Sequence, residues 1–407
     1  MSTATAETPK SRYEQRGVSS DKRDVHVAIK RLDPGLYPGA FCKILPDVLG
    51  LPPDPNVVNL SHPDGAGTKA ILAYLVWKLQ GDLKAVRRIA RCSLVMNLDD
   101  AGCVGTVGPF LITQSVNRNA ARVPGEVITQ VIEGCQEFCD LLDSLGITCA
   151  FASGETADVG NAVRTWVVDN NLTARFKKTD VIDASTMAPG QLLVGFSSTG
   201  KAAWEDEENS GMGANGLTNA QHDALCADYR IYTETYAPET DPSLIYCGDH
   251  RLEDPLPGDP RFTVGQAMLS PTRTYLPMLK RLFDTVGRKN IMGLIHNSGG
   301  GQAKIRKFGR PGNLYLKDRM FPIPPLFKWL HETRELPWDQ MLKNYSVGQR
   351  MEAAVPDRMV AEDCIAIAKE CGIEAQIIGK IQENLDGPQR KVVIVLPGLG
   401  EFEYVDE

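Results

Sequence analysis

The sequence lacks the features that would place it in a membrane or on nucleic acid. No apolar run approaches the length needed to cross a bilayer. The 51 Asp and Glu residues outnumber the 44 Lys and Arg residues, and the formal net charge of −7 argues against a general surface for nucleic acid or anionic lipid. Residues 1–16 are polar and have no apolar core of a secretory signal. We therefore expect a cytoplasmic protein that uses neither nucleic acid nor a membrane as a partner.

Local metal and redox motifs are also missing. The ten cysteines contain no CxxC pair, and the six histidines form no HxH or HExxH pattern. Sequence spacing therefore gives no zinc signal. In a chain of this size without an export signal, most cysteines are expected to be reduced and buried.

The length of 407 residues favours two domains, because a single core rarely grows this large. Both halves alternate between strand-like and helix-like periodicity, which predicts a mixed α/β fold. Predicted helices cover residues 68–79, 83–96, 126–145, 274–286 and 358–371, and predicted strands cover 57–60, 147–152, 165–173, 192–197, 375–381 and 391–396.

A break in periodicity at residues 184–190 predicts the domain boundary. We expect a mostly disordered tail over 1–16, an N-terminal domain over 17–185 and a C-terminal α/β domain over 186–407. The stretch 200–262 is polar and rich in Gly and Pro, which predicts long loops.

The most informative segment is the turn 64–69, Asp-Gly-Ala-Gly-Thr-Lys, between a predicted strand and a predicted helix. Gly65 and Gly67 allow a tight turn and close approach of a ligand, and the following helix start favours an anion. Thr68 and Lys69 add a hydroxyl and a charge, while Asp64 can hold a divalent metal. The spacing is neither a Walker A loop nor a dinucleotide fingerprint, so a turn without a ligand is the alternative.

Three further segments carry candidate chemistry. Asp99 and Asp100 lie just after the second predicted helix and suit Mg²⁺, although a solvated loop would look the same. Glu155 follows a predicted strand in a glycine-flanked loop, where α/β proteins usually bind ligands, although an exposed acid in a turn is the alternative. His296 precedes Gly299–Gly301, whose exposed backbone suits a phosphate, although the histidine could be structural.

Taken together, these segments resemble those of the aminoimidazole ribonucleotide synthetases, also called phosphoribosylformylglycinamidine cyclo-ligases. The matching segments, in chain order, are Asp64–Lys69, Leu98–Asp100, Ser153–Asp158, Ala214–Gly216, Pro271–Tyr275 and His296–Gly301. The similarity spans residues 11–382 and indicates a longer, divergent branch. Two departures stand out: an early glycine-rich loop shrinks to Pro38–Phe41, and a histidine expected before Asn215 is missing.

The resemblance implies a two-domain fold in which the N-terminal domain binds ATP and metal and pairs its sheet with a second copy in a homodimer. It implies ATP-dependent ring closure of formylglycinamidine ribonucleotide to aminoimidazole ribonucleotide, with release of ADP and phosphate. ATP and Mg²⁺ are the implied cofactors.

The resemblance also implies roles for individual residues. Asp64, Asp100 and Glu155 would hold Mg²⁺, supported by Asp99 and Asp158. His296 would act as general acid or base, and Lys69 would offset developing phosphate charge. The nucleotide and substrate contacts would come from Gly65, Gly67, Thr68, Lys69, Asn215, Gly299 and Gly300.

Two alternatives remain open from the sequence. One is another ATP-using enzyme of the same superfamily, such as a small-molecule kinase or a selenophosphate synthetase, for which Cys42 would be the candidate reactive thiol. The other is a nucleotide-binding protein without turnover, suggested by the shortened glycine loop and the missing histidine.

Overall fold

The computed structural model describes residues 10–19 and 23–406, which form two main β-sheets with helices packed on them. The first sheet has the strand order β1-β2-β5-β3-β4. Its strands are β1 (Leu45–Pro46), β2 (Val57–Gly65), β3 (Phe110–Arg118), β4 (Cys149–Asp158) and β5 (Trp166–Lys177). Its strands pair antiparallel except for β3 and β4, which are parallel and are joined through a helix.

The helices of the N-terminal region are α1 (Arg12–Gln15), α2 (Arg23–Ile29), α3 (Lys69–Gln80), α4 (Leu83–Cys103) and α5 (Gly125–Ser144). Helix α4 packs on β2 and β5 and also against α3 and α5. The side chains of β5 alternate: Trp166 and Val168 are buried under these helices, whereas Val167 is 38% exposed. One face of the first sheet therefore builds the core, and the other face is open to solvent.

The second sheet has the order β14-β13-β10-β12-β6-β11-β9, with a short β7–β8 ribbon beside it. Its strands are β6 (Leu192–Ser197), β9 (Gly293–His296), β10 (Asn313–Lys317), β11 (Gln349–Val355), β12 (Ala375–Glu383), β13 (Lys391–Leu396) and β14 (Gly400–Val405), and the ribbon is β7 (Thr199–Gly200) with β8 (Asn209–Ser210). Its helices are α6 (Leu217–Ala224), α7 (Val264–Leu269), α8 (Leu276–Thr285), α9 (Pro325–Arg334), α10 (Trp338–Asn344) and α11 (Arg358–Glu370).

The mixed α/β fold predicted from the sequence is confirmed, and most predicted elements fall within a few residues of the observed ones. Helix α4 is the main exception, because it continues seven residues beyond the predicted end at 96, to Cys103. Asp99 and Asp100 therefore lie inside a buried helix and not in a loop. The change from one sheet to the other falls between Lys177 and Leu192, on either side of the predicted boundary.

The C-terminal end of α4 is bound to the second sheet by a buried ion pair. Asp99 accepts hydrogen bonds from Arg350 Nη2, Thr274 Oγ1 and the backbone N–H of Tyr275, each at 2.9 Å. Arg273 in turn pairs with Glu205 at 2.5 Å. Breaking such a buried pair costs about 3–5 kcal/mol, because it leaves one charge uncompensated. Asp99 is thus part of the contact between the two sheets.

The stretch 200–262 differs from the predicted long loops. It contains helix α6, several 3₁₀ turns and the buried side chains of Leu225, Tyr229 and Tyr246.

Residues 10–16, predicted as disordered, also differ: they contain α1, and Arg16 is buried with its guanidinium 2.6 Å from Asp223 of α6. No helix in the described ranges is long and apolar enough to cross a membrane.

Candidate active site

The turn between β2 and α3 has the backbone that the sequence predicts. Gly67 has φ +53°, and a Cβ at Gly65 would lie 1.7 Å from the carboxylate of Asp169. Neither position accepts a larger residue without strain or a clash. The N–H of Gly65 donates to Asp64 Oδ1 at 2.7 Å, which fixes the half-buried carboxylate at the start of the turn.

Asp100 lies opposite this turn and is held by two histidines from different sheets. His62 of β2 contacts its Oδ2 through Nε2 at 3.1 Å, and His296 of β9 contacts its Oδ1 through Nδ1 at 2.6 Å. Burial alone would raise the pKa of Asp100, but the hydrogen bonds from His296 and His62 outweigh it and hold the pKa below its usual range. Both carboxylate oxygens therefore have imidazole partners.

The two histidines differ in their electrostatics. Burial opposes charge on His62, but hydrogen bonds with Asp100 and Cys42 raise its pKa to about 11. His296 is fully buried, and burial lowers its pKa despite the contact with Asp100. Its Nε2 is buried and has no hydrogen-bond partner among the described residues. His296 was predicted as a general acid or base. In this structure its side chain is enclosed by protein and holds Asp100 in place.

Asp64 and Asp100 are close enough to interact electrostatically. Burial raises the pKa of Asp64, and the charge of Asp100 raises it further, while His62 and Lys304 oppose the shift. Two neighbouring carboxylates with this mutual repulsion are the arrangement that a divalent cation relieves.

Glu155 does not join this pair within one chain. Gly65, Asp169, Ser115 and Glu155 lie in register on four neighbouring strands. Three strand spacings separate Glu155 from the turn, which is about 14 Å and too far for a shared ion. The predicted metal trio is therefore reduced to two carboxylates in a single chain, because β3 and β5 insert between β2 and β4.

Lys69 also departs from its predicted role as a phosphate contact. Its side chain is fully buried, and its ammonium donates to Gly213 O at 2.8 Å, to Ser270 O and to Thr272 Oγ1 at 3.5 Å. These three acceptors use its three donors. Lys69 thus fastens the 213–218 segment and the 270–272 segment to the start of α3.

Lys304 is a cation at this site that sequence reasoning missed. It follows the glycine run, and its Nζ lies 2.9 Å from Ser298 Oγ and 4.4 Å from the ring centre of Phe41. Burial acts to raise the pKa of both Asp64 and Asp100, and the charge of Lys304 opposes that effect at each carboxylate. The position of Lys304, three residues after the glycine run, could have indicated a cation at this site. The sequence could not show that its side chain points toward Asp100.

The glycine run and the Asn215 segment lie side by side. Gly300 and Gly301 have φ +98° and +53°, and the nearest atom to a Cβ built on Gly299 would be Asn215 Nδ2 at 3.9 Å. The next turn of the same segment approaches the Asp64 turn, because Thr218 Oγ1 lies 2.8 Å from Thr68 Oγ1. The structure thus brings together all the predicted nucleotide contacts except Lys69.

A cavity of about 570 Å³ adjoins Thr68 and Thr218. Its walls come from the start of β5 and from residues 234–240, and they mix apolar and polar groups, including Ile71, Tyr236 and Arg164. The volume is in the range of small-molecule sites.

Asp158, predicted to support the metal, is instead paired with Arg118 at 2.6 Å.

Comparison with solved structures defines the class of fold. The chain matches HypE in the HypE–HypF complex with a TM-score of 0.56, 14% identity and 95% coverage of this chain and 99% of that one. It matches the PurL protein of Thermotoga maritima, solved with FGAR, with a TM-score of 0.55, 16% identity and 95% coverage, spanning 49% of that chain. At such low sequence identity, these matches show the fold and nothing further. It is the aminoimidazole ribonucleotide synthetase-like fold.

Comparison with curated proteins is more specific. The phosphoribosylformylglycinamidine cyclo-ligase of Desulfotalea psychrophila is 25% identical over 98% of this chain and 100% of its own length. The enzyme of the same name from Methanococcus vannielii is 24% identical over 82% of this chain and 81% of its length. A bifunctional purine biosynthetic protein of Pichia angusta is 27% identical over 95% of the chain, which spans only 45% of that protein. No family model matches. The chain is a divergent relative of the phosphoribosylformylglycinamidine cyclo-ligases, and the resemblance found in the sequence is confirmed.

Proposed function

We propose that the protein is an ATP-dependent cyclo-ligase that converts formylglycinamidine ribonucleotide to aminoimidazole ribonucleotide in purine biosynthesis. The observation that carries the proposal is that the segments shared with the family, which are far apart in sequence, meet at one cleft. Asp64 and His62 come from the first sheet, Asp100 from α4, and His296 with the glycine run from the second sheet. The similarity to the cyclo-ligase of Desulfotalea psychrophila extends over 98% of the chain and therefore includes both sheets that line the cleft.

In the proposed reaction the formyl oxygen of the substrate attacks the γ-phosphorus of ATP, and the bond to ADP breaks. The substrate nitrogen then closes on the activated carbon, and the oxygen leaves with the phosphate. Phosphoryl transfer of this kind depends on positioning and charge neutralisation more than on covalent help from the protein.

Asp64 and Asp100 fit Mg²⁺, because Mg²⁺ is typically held by one or two carboxylates together with substrate phosphates. When bound, the ion would neutralise charge on the triphosphate. Asp100 would have to give up part of its contact with His62 or His296, both of which now occupy its oxygens. Glu155 stays outside this set in a single chain.

The remaining roles follow from the same geometry. The backbone of Gly65, Gly67, Gly299 and Gly300, with Thr68 and Asn215, would contact phosphate groups. Lys304 takes the role of cleft cation that Lys69 cannot fill, because Lys69 is enclosed by protein acceptors. The cavity beside Thr68 would hold the nucleoside end of ATP.

We further propose a cytoplasmic homodimer in which the open faces of the first sheets pair. Leu111 is 50% exposed on this face and Val167 is 38% exposed, which favours a covered surface. Glu155 is exposed on β4 at the edge of the same sheet. Sedimentation equilibrium should give a dimer for the natural chain and a monomer for Leu111→Arg. A monomeric natural chain would contradict the pairing.

The function is tested by measuring ADP release with and without formylglycinamidine ribonucleotide. We expect release only when that substrate is present. Release without it would indicate a kinase or ATPase of the superfamily, and no release under either condition would indicate a binding protein. Asp284→Asn serves as a control and should leave the release unchanged, because Asp284 is an exposed carboxylate whose ion-pair partner among the described residues is Lys280 in α8.

A further inference from the structure

Cys42, His62 and Asp100 form a cluster of potential metal ligands. The Sγ, an imidazole nitrogen and a carboxylate oxygen all lie within 4.8 Å of one another. Cys42 and Asp100 are buried, and the His62 side chain is 25% exposed. The three residues come from a loop, a strand and a helix, and this explains why no local spacing in the sequence reveals them.

The geometry fits a tetrahedral ion. His62 Nε2 and Asp100 Oδ2 are 3.1 Å apart. Two ligand atoms bound at about 2.0–2.1 Å with tetrahedral angles would be about 3.3 Å apart, so this pair needs little movement. The Cys42 thiol donates to the backbone oxygen of Asp100 at 3.4 Å, and it would lose this proton on binding a metal.

The second carboxylate oxygen of Asp100 is held by His296 Nδ1 at 2.6 Å. A partner of this kind orients a ligating group and typically changes metal affinity by about 10- to 100-fold. With a thiolate, a neutral imidazole and a carboxylate around a divalent ion, the three ligands and the metal are electrically neutral together.

We propose that Cys42, His62 and Asp100 bind a transition-metal ion of the Zn²⁺ class, at a site that shares Asp100 with the nucleotide-bound Mg²⁺ of the proposed function. A sulfur and a nitrogen ligand select this class over Mg²⁺, which prefers oxygen ligands. Three protein ligands leave a fourth position open toward the cleft. Because Asp100 belongs to both sets, the two ions exclude each other, and a zinc-class ion inhibits turnover.

The test uses Co²⁺ as a spectroscopic substitute for Zn²⁺, titrated into the whole reduced protein without nucleotide. We expect one Co²⁺ per chain with a sulfur-to-cobalt charge-transfer band in the near ultraviolet. Cys42→Ser should remove this band, and His62→Gln should weaken binding by at least about tenfold. Cys103→Ser is the matched control, because Cys103 is another buried thiol near the cluster, and it should keep the band.

The proposal is overturned if the natural chain binds no stoichiometric Co²⁺, or if Cys42→Ser keeps the charge-transfer band. Should Cys42→Ser fail to fold by circular dichroism, His62→Gln decides the matter, and unchanged affinity in a folded His62→Gln protein contradicts the site. The readout requires no turnover, so its outcome is independent of the cyclo-ligase assay.

Discussion

The two glycine turns of the cleft carry a lysine each, and the structure uses the two lysines in different ways. In the Asp64–Lys69 turn the lysine points into the protein and is enclosed by backbone and hydroxyl acceptors. After the Gly299–Gly301 run, Lys304 stays half-buried beside Ser298, and its charge opposes the effect of burial on the pKa of both cleft carboxylates. The first turn thus supplies the anion of the site and the second supplies the cation. Proximity to a glycine turn in sequence does not decide which charge faces a ligand.

The largest effect is expected at the anionic turn. Asp64→Asn should lower kcat/KM by about a thousandfold, because it removes one of two carboxylates for the metal that neutralises the triphosphate. The thermal stability of this variant should not fall, because burial and, to a smaller extent, the charge of Asp100 both disfavour the ionised form of Asp64. Steady-state kinetics over a range of Mg²⁺ concentrations measures this, with Asp284→Asn as control. Full turnover at ordinary Mg²⁺ would exclude Asp64 as a metal ligand.

The next effect concerns the cationic turn. Lys304→Gln should lower kcat/KM by about a hundredfold, because a positioned charge near developing negative charge is lost. Lys304→Arg keeps the charge and should recover most of the activity. The comparison requires saturation curves for ATP. If the Gln variant, the Arg variant and the natural chain had equal kinetics, Lys304 would not be the cation of the cleft.

Lys69 should behave in the opposite way. Lys69→Met keeps the length of the side chain but leaves three buried acceptors without their donor, which should reduce the free energy of unfolding by about 2 kcal/mol. The remaining folded protein should keep its affinity for ATP. Urea denaturation and calorimetric binding measure the two quantities. A stable Lys69→Met protein that had lost ATP binding would reinstate the role predicted from the sequence.

The smallest effect is a pH dependence in α6, the helix that supports the first turn through Thr218. Burial lowers the pKa of His222 to about 3, and the charge of Arg16 adds to the shift. Its Nδ1 accepts from the backbone N–H of Tyr246, which requires the neutral ring. A folded pKa below the unfolded value means that stability is complete above about pH 6.5 and falls as the pH decreases from there toward 3.

At about pH 5.5 the loss should be about 1 kcal/mol, and His222→Gln should not show this part of the decline. Chemical denaturation of both proteins at several pH values measures the difference. Parallel curves for the two proteins would show that His222 is not buried in its neutral form.

Local pattern was sufficient for much of the fold. Helix α11 and strands β6 and β13 lie within one residue of their predicted bounds, because their periodicity is strong and turn residues flank them. Helix α4 was predicted too short, because Asn97, Asp99 and Asp100 look like a polar helix end. Tertiary partners, Arg350 for Asp99 and two histidines for Asp100, make those polar side chains suitable for a buried helix.

The sequence predicts the parts of the site that depend on backbone conformation. It predicts less well the parts that depend on the direction of long side chains. Glycines and the acid of the 64–69 turn are fixed by the turn geometry. The direction of a lysine depends on acceptors far away in sequence, so Lys69 and Lys304 could not be distinguished. Strand order decides that Glu155 is remote from Asp64, and the sequence does not state strand order. His62 escaped notice because a single histidine on a strand has no pattern.

If the cleft between the two turns transfers the γ-phosphoryl group of ATP to the formyl oxygen before the ring closes, that oxygen must leave with the phosphate. The most direct measurement uses formylglycinamidine ribonucleotide labelled with ¹⁸O at the formyl oxygen, followed by mass spectrometry of the products. We expect one ¹⁸O atom in the released phosphate and unlabelled aminoimidazole ribonucleotide. Label that appears in water while the phosphate stays unlabelled would contradict it.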